Sequence, residues 1–306
     1  MKVLVTGASG FTGAHLLPAL CAAGHEVVAL GHPARQTSPP EVRWRACDLA
    51  DPCSVQHAVA GLRVDGVVHL GAISYVAHGE ADAFYRVNLL GTRHLLESLC
   101  QLDAAPKAVL VASSANVYGN ATAGRIDESA ALAPANDYAV SKLAAEFLTG
   151  LYTDRLPLIV VRPFNYTGRG QDQRFLIPKI VAHAKRRADT IQLGNLDVTR
   201  DFSDVRTVVQ CYLRLLAEPN AVGQTFNVCS GKAYSLRSIL SMVAEISGHR
   251  MQVRTDPALV RDNEIKVLIG DRSRLEAVIG EIKDIPLEET LRWMLEEAED
   301  PAPPFA

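Results

Sequence analysis

The 306-residue sequence lacks the features that would place a chain outside the cell, in a membrane or on a nucleic acid. Its six cysteines (Cys21, Cys47, Cys53, Cys100, Cys211, Cys229) are scattered, none forms C-x-x-C, and no Cys/His group has zinc-ligand spacing. That argues against a disulfide scaffold or a metal site and for reduced, mostly core thiols of a cytoplasmic protein. No apolar stretch approaches the ~20 residues needed to span a bilayer. The first strand-like run has no basic leader or cleavage site before it, so no export signal is expected. There is no charge run or basic stripe, and the formal net charge is only −3, which speaks against nucleic acid or an anionic membrane as partner. Internal repeats and low-complexity tracts are also missing.

What is present is a hydrophobic fraction of 48%, enough for a large core in one domain or two unequal ones. Short apolar runs at residues 3–6, 27–30, 66–70, 108–112 and 158–161 alternate with helical patterns near 13–23, 51–61, 81–102 and 136–152. Near-continuous apolar strands in β-α-β order predict a parallel sheet covered on both faces, a Rossmann-type doubly wound α/β fold. After Arg162 the pattern changes to helices near 175–187, 204–218 and 235–247 between loops and short strands. Residues 1–162 are therefore expected to form the nucleotide-binding domain. Residues 163–306 should be mostly a smaller α/β substrate lobe, with a return to the sheet at about 204–228. The proline-rich end, residues 300–306, is expected to fray.

The first strand runs into Thr6-Gly7-Ala8-Ser9-Gly10-Phe11-Thr12-Gly13. A strand turning into a helix through closely spaced glycines is where a dinucleotide's pyrophosphate sits, facing backbone N–H groups and the positive end of the helix dipole. The spacing here is G-x-x-G-x-x-G rather than G-x-G-x-x-G.

Tyr138 and Lys142 stand four apart on a predicted helix, so phenol and ammonium share one face. Bringing a phenol from a pKa of about 10 to about 7 takes roughly 4 kcal/mol, which an ammonium ~4 Å away in an effective dielectric of ~20 supplies. The pair is a candidate acid/base unit. Ser113-Ser114-Ala115-Asn116-Val117-Tyr118-Gly119 follows the strand at 108–112, placing hydroxyls at the carboxyl end where ligands of open parallel sheets bind.

With these elements in this order, the chain resembles the extended short-chain dehydrogenase/reductases. The resemblance rests on residues 6–13, Cys47-Asp48-Leu49, His69-Leu70-Gly71-Ala72, Asn88-Leu-Leu-Gly91-Thr92, residues 113–119, Tyr138 with Lys142, and Arg162-Pro163-Phe164-Asn165. It implies a nicotinamide cofactor and the catalytic set Ser114, Tyr138 and Lys142, with Lys142 also holding the nicotinamide ribose. The cofactor contacts it implies are Gly7, Gly10, Phe11, Thr12, Gly13, His32, Arg35, Asp48, Leu49, Leu70, Gly71, Ala72, Asn88, Tyr138, Lys142 and Arg162. Asp48 would meet the adenine and Leu49 flank it. No acid ends the second strand, and Arg35 follows shortly, so NADP(H) is favoured over NAD(H). Relatives pair through helices matching 81–102 and 136–152, which implies a homodimer.

Residues 162–171 and 194–202 resemble nucleotide-sugar enzymes of this family, the second stretch those acting on GDP-mannose derivatives. Ser74, Ser114, Asn116, Asn165, Lys179, Arg200 and Arg261 are the implied substrate contacts, the two arginines as bidentate diphosphate donors. Tyr75, His78 and Arg169 are weaker candidates for the sugar pocket. Dehydratases of the group carry a glutamate where this chain has Ala115-Asn116, and neither residue titrates usefully, so dehydration is disfavoured. The resemblance implies NAD(P)H-dependent reduction of the C4 ketone of GDP-4-keto-6-deoxymannose to GDP-rhamnose (GDP-6-deoxymannose), or to its talose isomer. The alternative is a nucleotide-sugar C4-epimerase with tightly bound NAD+. An intact Ser114/Tyr138/Lys142 set argues against a non-catalytic NADP sensor.

Overall fold

The computed structural model describes residues 1–31, 39–75, 80–119, 124–257 and 267–296. Along the chain its strands are β1 (Lys2–Thr6), β2 (Glu26–Gly31), β3 (Arg43–Ala46), β4 (Gly66–His69), β5 (Ala108–Ala112), β6 (Arg125–Ile126), β7 (Leu158–Pro163), β8 (Asn165–Thr167), β9 (Thr190–Leu193), β10 (Thr199–Asp204), β11 (Thr225–Val228), β12 (Ala233–Ser235), β13 (Gln252–Thr255) and β14 (Val267–Gly270). The α-helices are α1 (Phe11–Ala22), α2 (Pro52–Val59), α3 (Ala81–Phe84), α4 (Gly91–Leu99), α5 (Asp137–Gly150), α6 (Leu176–Lys185), α7 (Val205–Ala217), α8 (Leu236–Ser247), α9 (Ser273–Ile279) and α10 (Leu287–Glu296).

Seven parallel strands form the main sheet in the order β11-β7-β5-β4-β1-β2-β3. The doubly wound expectation holds, and the apolar runs explain it. Val3 and Val5 of the central strand turn to one face and pack with Leu16 and Leu20 of α1 and Val208 and Tyr212 of α7. Leu4 turns to the other face and packs with Val55 of α2 and Leu95 and Leu96 of α4. Local sequence sets the helix starts. Asp51 accepts from Cys53 N at 3.0 Å with Pro52 in the first turn, and Asn136 accepts from Ala139 N at 2.9 Å to open α5.

Two features depart from the sequence expectation. Arg43–Ala46 pairs with β2 as an edge strand, although its Arg-Trp-Arg-Ala sequence offers no apolar run. The helix expected over 81–102 is α3 and α4 joined by a π-helical turn, Tyr85–Leu90, which carries the fully buried Asn88.

Beyond Pro163 the chain adds a separate β13–β9 pair and, together with β6 from the first half, a second sheet, β12-β10-β14-β6 with β8 beside β10. A core of its own lies between α6, α8 and α10, around Ile180, Ile239 and Leu291. α7 and β11 return to the main sheet, β11 pairing with β7 through Phe226 and Val161. Among the described residues no helix is long and apolar enough to cross a membrane.

Candidate active site at the carboxyl ends of the strands

β1, β4 and β5 are neighbours, so the turns that leave their carboxyl ends are brought side by side: Gly7 after β1, Gly71 after β4 and Ser114 after β5. This is the place where an open parallel sheet receives a ligand.

The three glycines of the first turn have different physical reasons. Gly7 has φ +64°, and a Cβ on it would lie 2.6 Å from Gly71 N and 2.7 Å from the Leu70 carbonyl carbon. A Cβ on Gly13 would run into the Ala8 carbonyl. Both are demanded by the packing of the protein's own backbone. Gly10 is exposed, and its Cβ would meet only Gly7 O at 3.2 Å, so this is the glycine that leaves room for an incoming group. Gly10 caps α1 without a side-chain hydrogen bond, and no acid stands in the first turn. The N–H groups of that turn therefore present an anion site. At the end of β5, Ser113 Oγ is buried without a hydrogen-bond partner among the described residues. An uncapped helix start, an open glycine and an unpartnered hydroxyl fit a dinucleotide along this edge. Leu49 packs against Gly71 and Gly91, as a residue flanking that edge would. The Asp48 carboxylate accepts from Ala50 N at 2.9 Å and shapes its own turn. Ala72 follows Gly71 in the same turn. His32 and Arg35, on which the choice of NADP(H) rested, lie outside the described residues, as do His78 and Arg261.

A chain of hydrogen bonds runs beneath the site. Gly71 N donates to Thr6 Oγ1 (3.1 Å), and Thr6 Oγ1 meets His69 Nδ1 (2.6 Å). His69 Nε2 meets Thr92 Oγ1 (2.9 Å), and Thr92 donates to Asn88 O (2.6 Å). Because the Thr92 proton is committed to Asn88, His69 Nε2 must be the donor there, and the ring is a neutral tautomer. Burial, then the charge of Lys142, push the His69 pKa down to about 3. Asn88 continues the chain by accepting from Ile73 N (2.8 Å) and donating to Ser141 Oγ (3.0 Å), while Ser141 donates to the Tyr138 carbonyl (2.7 Å). Asn88, expected among the cofactor contacts, also donates to Ile73 O (3.1 Å), so its amide fastens the π-turn both to the chain after β4 and to α5.

Tyr138 and Lys142 are both buried, one turn apart on α5, and Ser114 is buried at the turn after β5. Tyr138 packs edge-on against Phe84 at 5.9 Å, and the Ser114 hydroxyl bears on its phenol. Ser114 Oγ also caps the short 3-10 helix Ala115–Tyr118, accepting from Asn116 N at 3.2 Å. The expected electrostatics need correction. Burial raises the Tyr138 phenol to about 12, the Ser114 hydroxyl lowers it only in part, and Tyr166 raises it further. Burial also brings Lys142 down to about 8, against the pull of Glu146. The phenol is thus held protonated, the state in which it can give a proton away.

Arg162, expected among the cofactor contacts, has its guanidinium engaged within the fold. It is buried and committed to Glu146 at 2.6 Å and to the Tyr118 hydroxyl at 2.9 Å. In the lobe, Asn165 donates to Asp201 O at 3.2 Å, and Arg200 Nη1 donates to Thr199 O at 3.0 Å. Lys179 is half-buried on α6, Ser74 is exposed after β4, and Asn116 is half-buried beside Ser114. None of these five bonds to Tyr138 or Lys142 in the hydrogen bonds described above. Arg169 stacks over Trp293, 5.0 Å from the ring centre, and donates to Trp293 O at 2.6 Å, so it braces α10. Tyr75 faces Phe175 across the crevice at 5.8 Å, with Arg174 over its ring at 4.9 Å. Sequence reasoning missed Glu146, Tyr118 and Tyr166. Glu146 stands four residues beyond Lys142 on the same helix face, a spacing already present in the sequence.

Comparison with known proteins gives the family and the fold. The model of the family described as GDP-mannose 4,6 dehydratase matches residues 4–294. The GDP-6-deoxy-D-talose 4-dehydrogenase of Aggregatibacter actinomycetemcomitans is 37% identical over 280 residues, 92% of each chain. The GDP-6-deoxy-D-mannose reductase of Pseudomonas aeruginosa is 34% identical over 309 residues, 97% of each. Among solved structures, a Burkholderia cenocepacia protein provisionally termed an epimerase superposes with a TM-score of 0.90 at 49% identity, covering 96% of this chain and 97% of that one. RMD from Pseudomonas aeruginosa complexed with NADPH superposes with a TM-score of 0.84 at 33% identity, covering 96% and 97%. The chain belongs to the GDP-mannose 4,6-dehydratase family of extended short-chain dehydrogenase/reductases.

Proposed function

We propose that this protein is an NAD(P)H-dependent oxidoreductase that reduces the C4 ketone of GDP-4-keto-6-deoxymannose to GDP-rhamnose. The observation that carries this reading is the buried Tyr138–Ser114–Lys142 set at the carboxyl end of β5, where the neighbouring turn holds Ala115 and Asn116 and no acid. Without a titrating group there, nothing in that turn serves the proton removal that dehydration needs.

A reduced nicotinamide, when bound, supplies the hydride. The chain's own residues do the rest. The first turn of α1 binds the diphosphate through its N–H groups. Ser114 Oγ orients the ketone oxygen, and Tyr138 Oη gives its proton to that oxygen as negative charge develops. Lys142, positive below about pH 8, stabilises the phenolate left behind. Asn165, Lys179 and Arg200, with Ser74, Asn116 and Arg261, are assigned to the nucleotide diphosphate-sugar, on residues 1–162 with 204–228 and on the smaller lobe. The NADPH complex of the Pseudomonas aeruginosa relative supports NADP(H) as the cofactor, with NAD(H) second.

The protein is proposed to act as a cytoplasmic homodimer in GDP-rhamnose formation; its six cysteines are all free. Phe147 (67% exposed) and Leu151 (76%) stand one turn apart on α5 and its cap, with Val140 and Leu90 also exposed. That apolar face supports pairing through α4 and α5.

Two neighbours favour second readings. The talose dehydrogenase is the more similar of the two named relatives, so the opposite C4 face is one alternative. The Burkholderia neighbour is termed an epimerase, which keeps a nucleotide-sugar C4-epimerase with tightly bound NAD+ as the other alternative. Incubation with GDP-4-keto-6-deoxymannose and either NADPH or NADH, with the product identified by NMR, tests all three. Net oxidation of NADPH and formation of GDP-rhamnose is expected. Formation of a talose product, or no net oxidation with bound NAD+ in the purified protein, contradicts the main reading.

A further inference from the structure

Arg162 lies at the meeting point of the elements that carry the catalytic set. From β7 its Nε donates to Glu146 at 3.0 Å and its Nη2 at 2.6 Å, and both side chains are nearly sealed from water, at 7% and 9% exposure. Its remaining nitrogen, Nη1, donates to Tyr118 Oη at 2.9 Å, and Tyr118 donates in turn to Asn227 Oδ1 at 2.7 Å on β11. Glu146 is on α5, one turn beyond Lys142 and two beyond Tyr138. Tyr118 ends the 3-10 turn that Ser114 begins. One guanidinium therefore grips both halves of the site.

A buried ion pair is weak as a stabilising device, because well-packed apolar residues of the same volume often serve as well or better. Its placement calls for another explanation. We propose that Glu146 and Arg162 form a positioning unit: Arg162 fixes the Ser114 turn against the helix carrying Tyr138 and Lys142, and Glu146 is the anionic neighbour of the Lys142 ammonium. The inference rests on the reading of Ser114, Tyr138 and Lys142 as the catalytic set.

The surroundings leave Glu146 this role. The charged and titratable groups that bear on Lys142 are Glu146, one turn on along its own helix, and His69 on β4, which is neutral. The groups facing the pair are Tyr118 and Glu128. The Glu128 carbonyl accepts from Arg162 at 3.4 Å, and its carboxylate is engaged by Asn227 N at 2.7 Å and Arg274 at 3.6 Å. Glu146 thus opposes the burial that strips Lys142 of its proton, while Arg162 limits that opposition by sharing the carboxylate. Without Glu146, both burial and an unpaired Arg162 would drive the ammonium towards neutrality near physiological pH.

The test is an NMR titration of protein labelled at lysine Cε, with the Lys142 resonance assigned by its loss in Lys142→Met. The variants are Glu146→Gln and the double variant Glu146→Gln/Arg162→Met, which leaves no buried charge unpaired and decides the matter should the single variant misfold. The Lys142 midpoint is expected to fall by about half a pH unit or more in both. The alkaline limb of kcat/KM should move down with it, and Glu146→Asp should restore most of the shift. A midpoint that stays at the wild-type value in both variants overturns the proposal. The titration needs no substrate, so failure of the wild-type protein to reduce the keto-sugar would count against the functional reading and not against the pair.

Discussion

The hydroxyls of Tyr166 and Thr12 share a 2.7 Å hydrogen bond that ties β8 to the first turn of α1. The Tyr166 ring stacks on Phe11 at 5.9 Å and 17°, a second contact between β8 and the glycine turn. Tyr166→Phe keeps the stack and removes the bond. About 1 kcal/mol of ordering is lost, a roughly five-fold weaker hold on NADPH. A fluorescence titration of NADPH checks this, and unchanged affinity would remove the bond from cofactor binding.

The glycines of the turn should respond differently to alanine. Gly7→Ala meets the Gly71 and Leu70 backbone and forces a positive φ on an L residue, so it should cost more than about 2 kcal/mol and lower the melting temperature. Gly10→Ala adds a methyl group on open surface, so the melting temperature should hold within a few degrees while NADPH binding is lost. Equal melting temperatures for the two variants would contradict this division of roles.

Tyr138→Phe should lower kcat by roughly 10²–10⁴, the usual worth of a positioned proton donor. The melting temperature should fall only slightly, because the fold loses one hydrogen bond, that between the phenol and Ser114. Near-normal turnover would remove Tyr138 from the chemistry.

Lys142 gives a stability prediction whose sign follows from burial. Its pKa is about 8 in the fold against 10.5 in the free side chain. Between those values the unfolded chain keeps the proton and the fold has released it, so this group's contribution to stability rises with pH through that window. At pH 7 both states hold the proton, and the cost of burying the charge, up to about 3 kcal/mol, is present in full. Lys142→Met should therefore raise the melting temperature at pH 7 while abolishing turnover, a gain that vanishes above about pH 10.5. A lower melting temperature for the variant at pH 7 would show that the ammonium is not strained by its burial.

The exposed face of α5 leads to a further variant. Phe147→Glu combined with Leu151→Glu should give a monomer in sedimentation analysis if α4 and α5 pair two copies, with the helical content of the monomer intact. A dimer that survives both charges would place the interface elsewhere.

The sequence was most legible where one residue type answers to one local demand. Apolar runs marked the buried strands, Asp51 and Asn136 marked helix starts, and the glycines marked the turn. Tyr138 and Lys142 were found because a helix repeats its face every four residues. β3 was missed because an edge strand needs no apolar run. The partners that Arg162 and Asn88 hold inside the fold, Glu146 and Ser141, were not legible because they stand 16 and 53 residues away in the chain. The direction of the Tyr138 shift was misjudged for a related reason: spacing reveals a neighbouring cation but not how far the phenol is removed from water.

The most direct test follows a label. The protein is incubated with GDP-4-keto-6-deoxymannose and NADPH carrying deuterium at the transferable C4 position. The account predicts one deuterium at sugar C4 of GDP-rhamnose for each NADPH oxidised, lost along with turnover in Tyr138→Phe. A new sugar epimer without deuterium and without net NADPH consumption would contradict it.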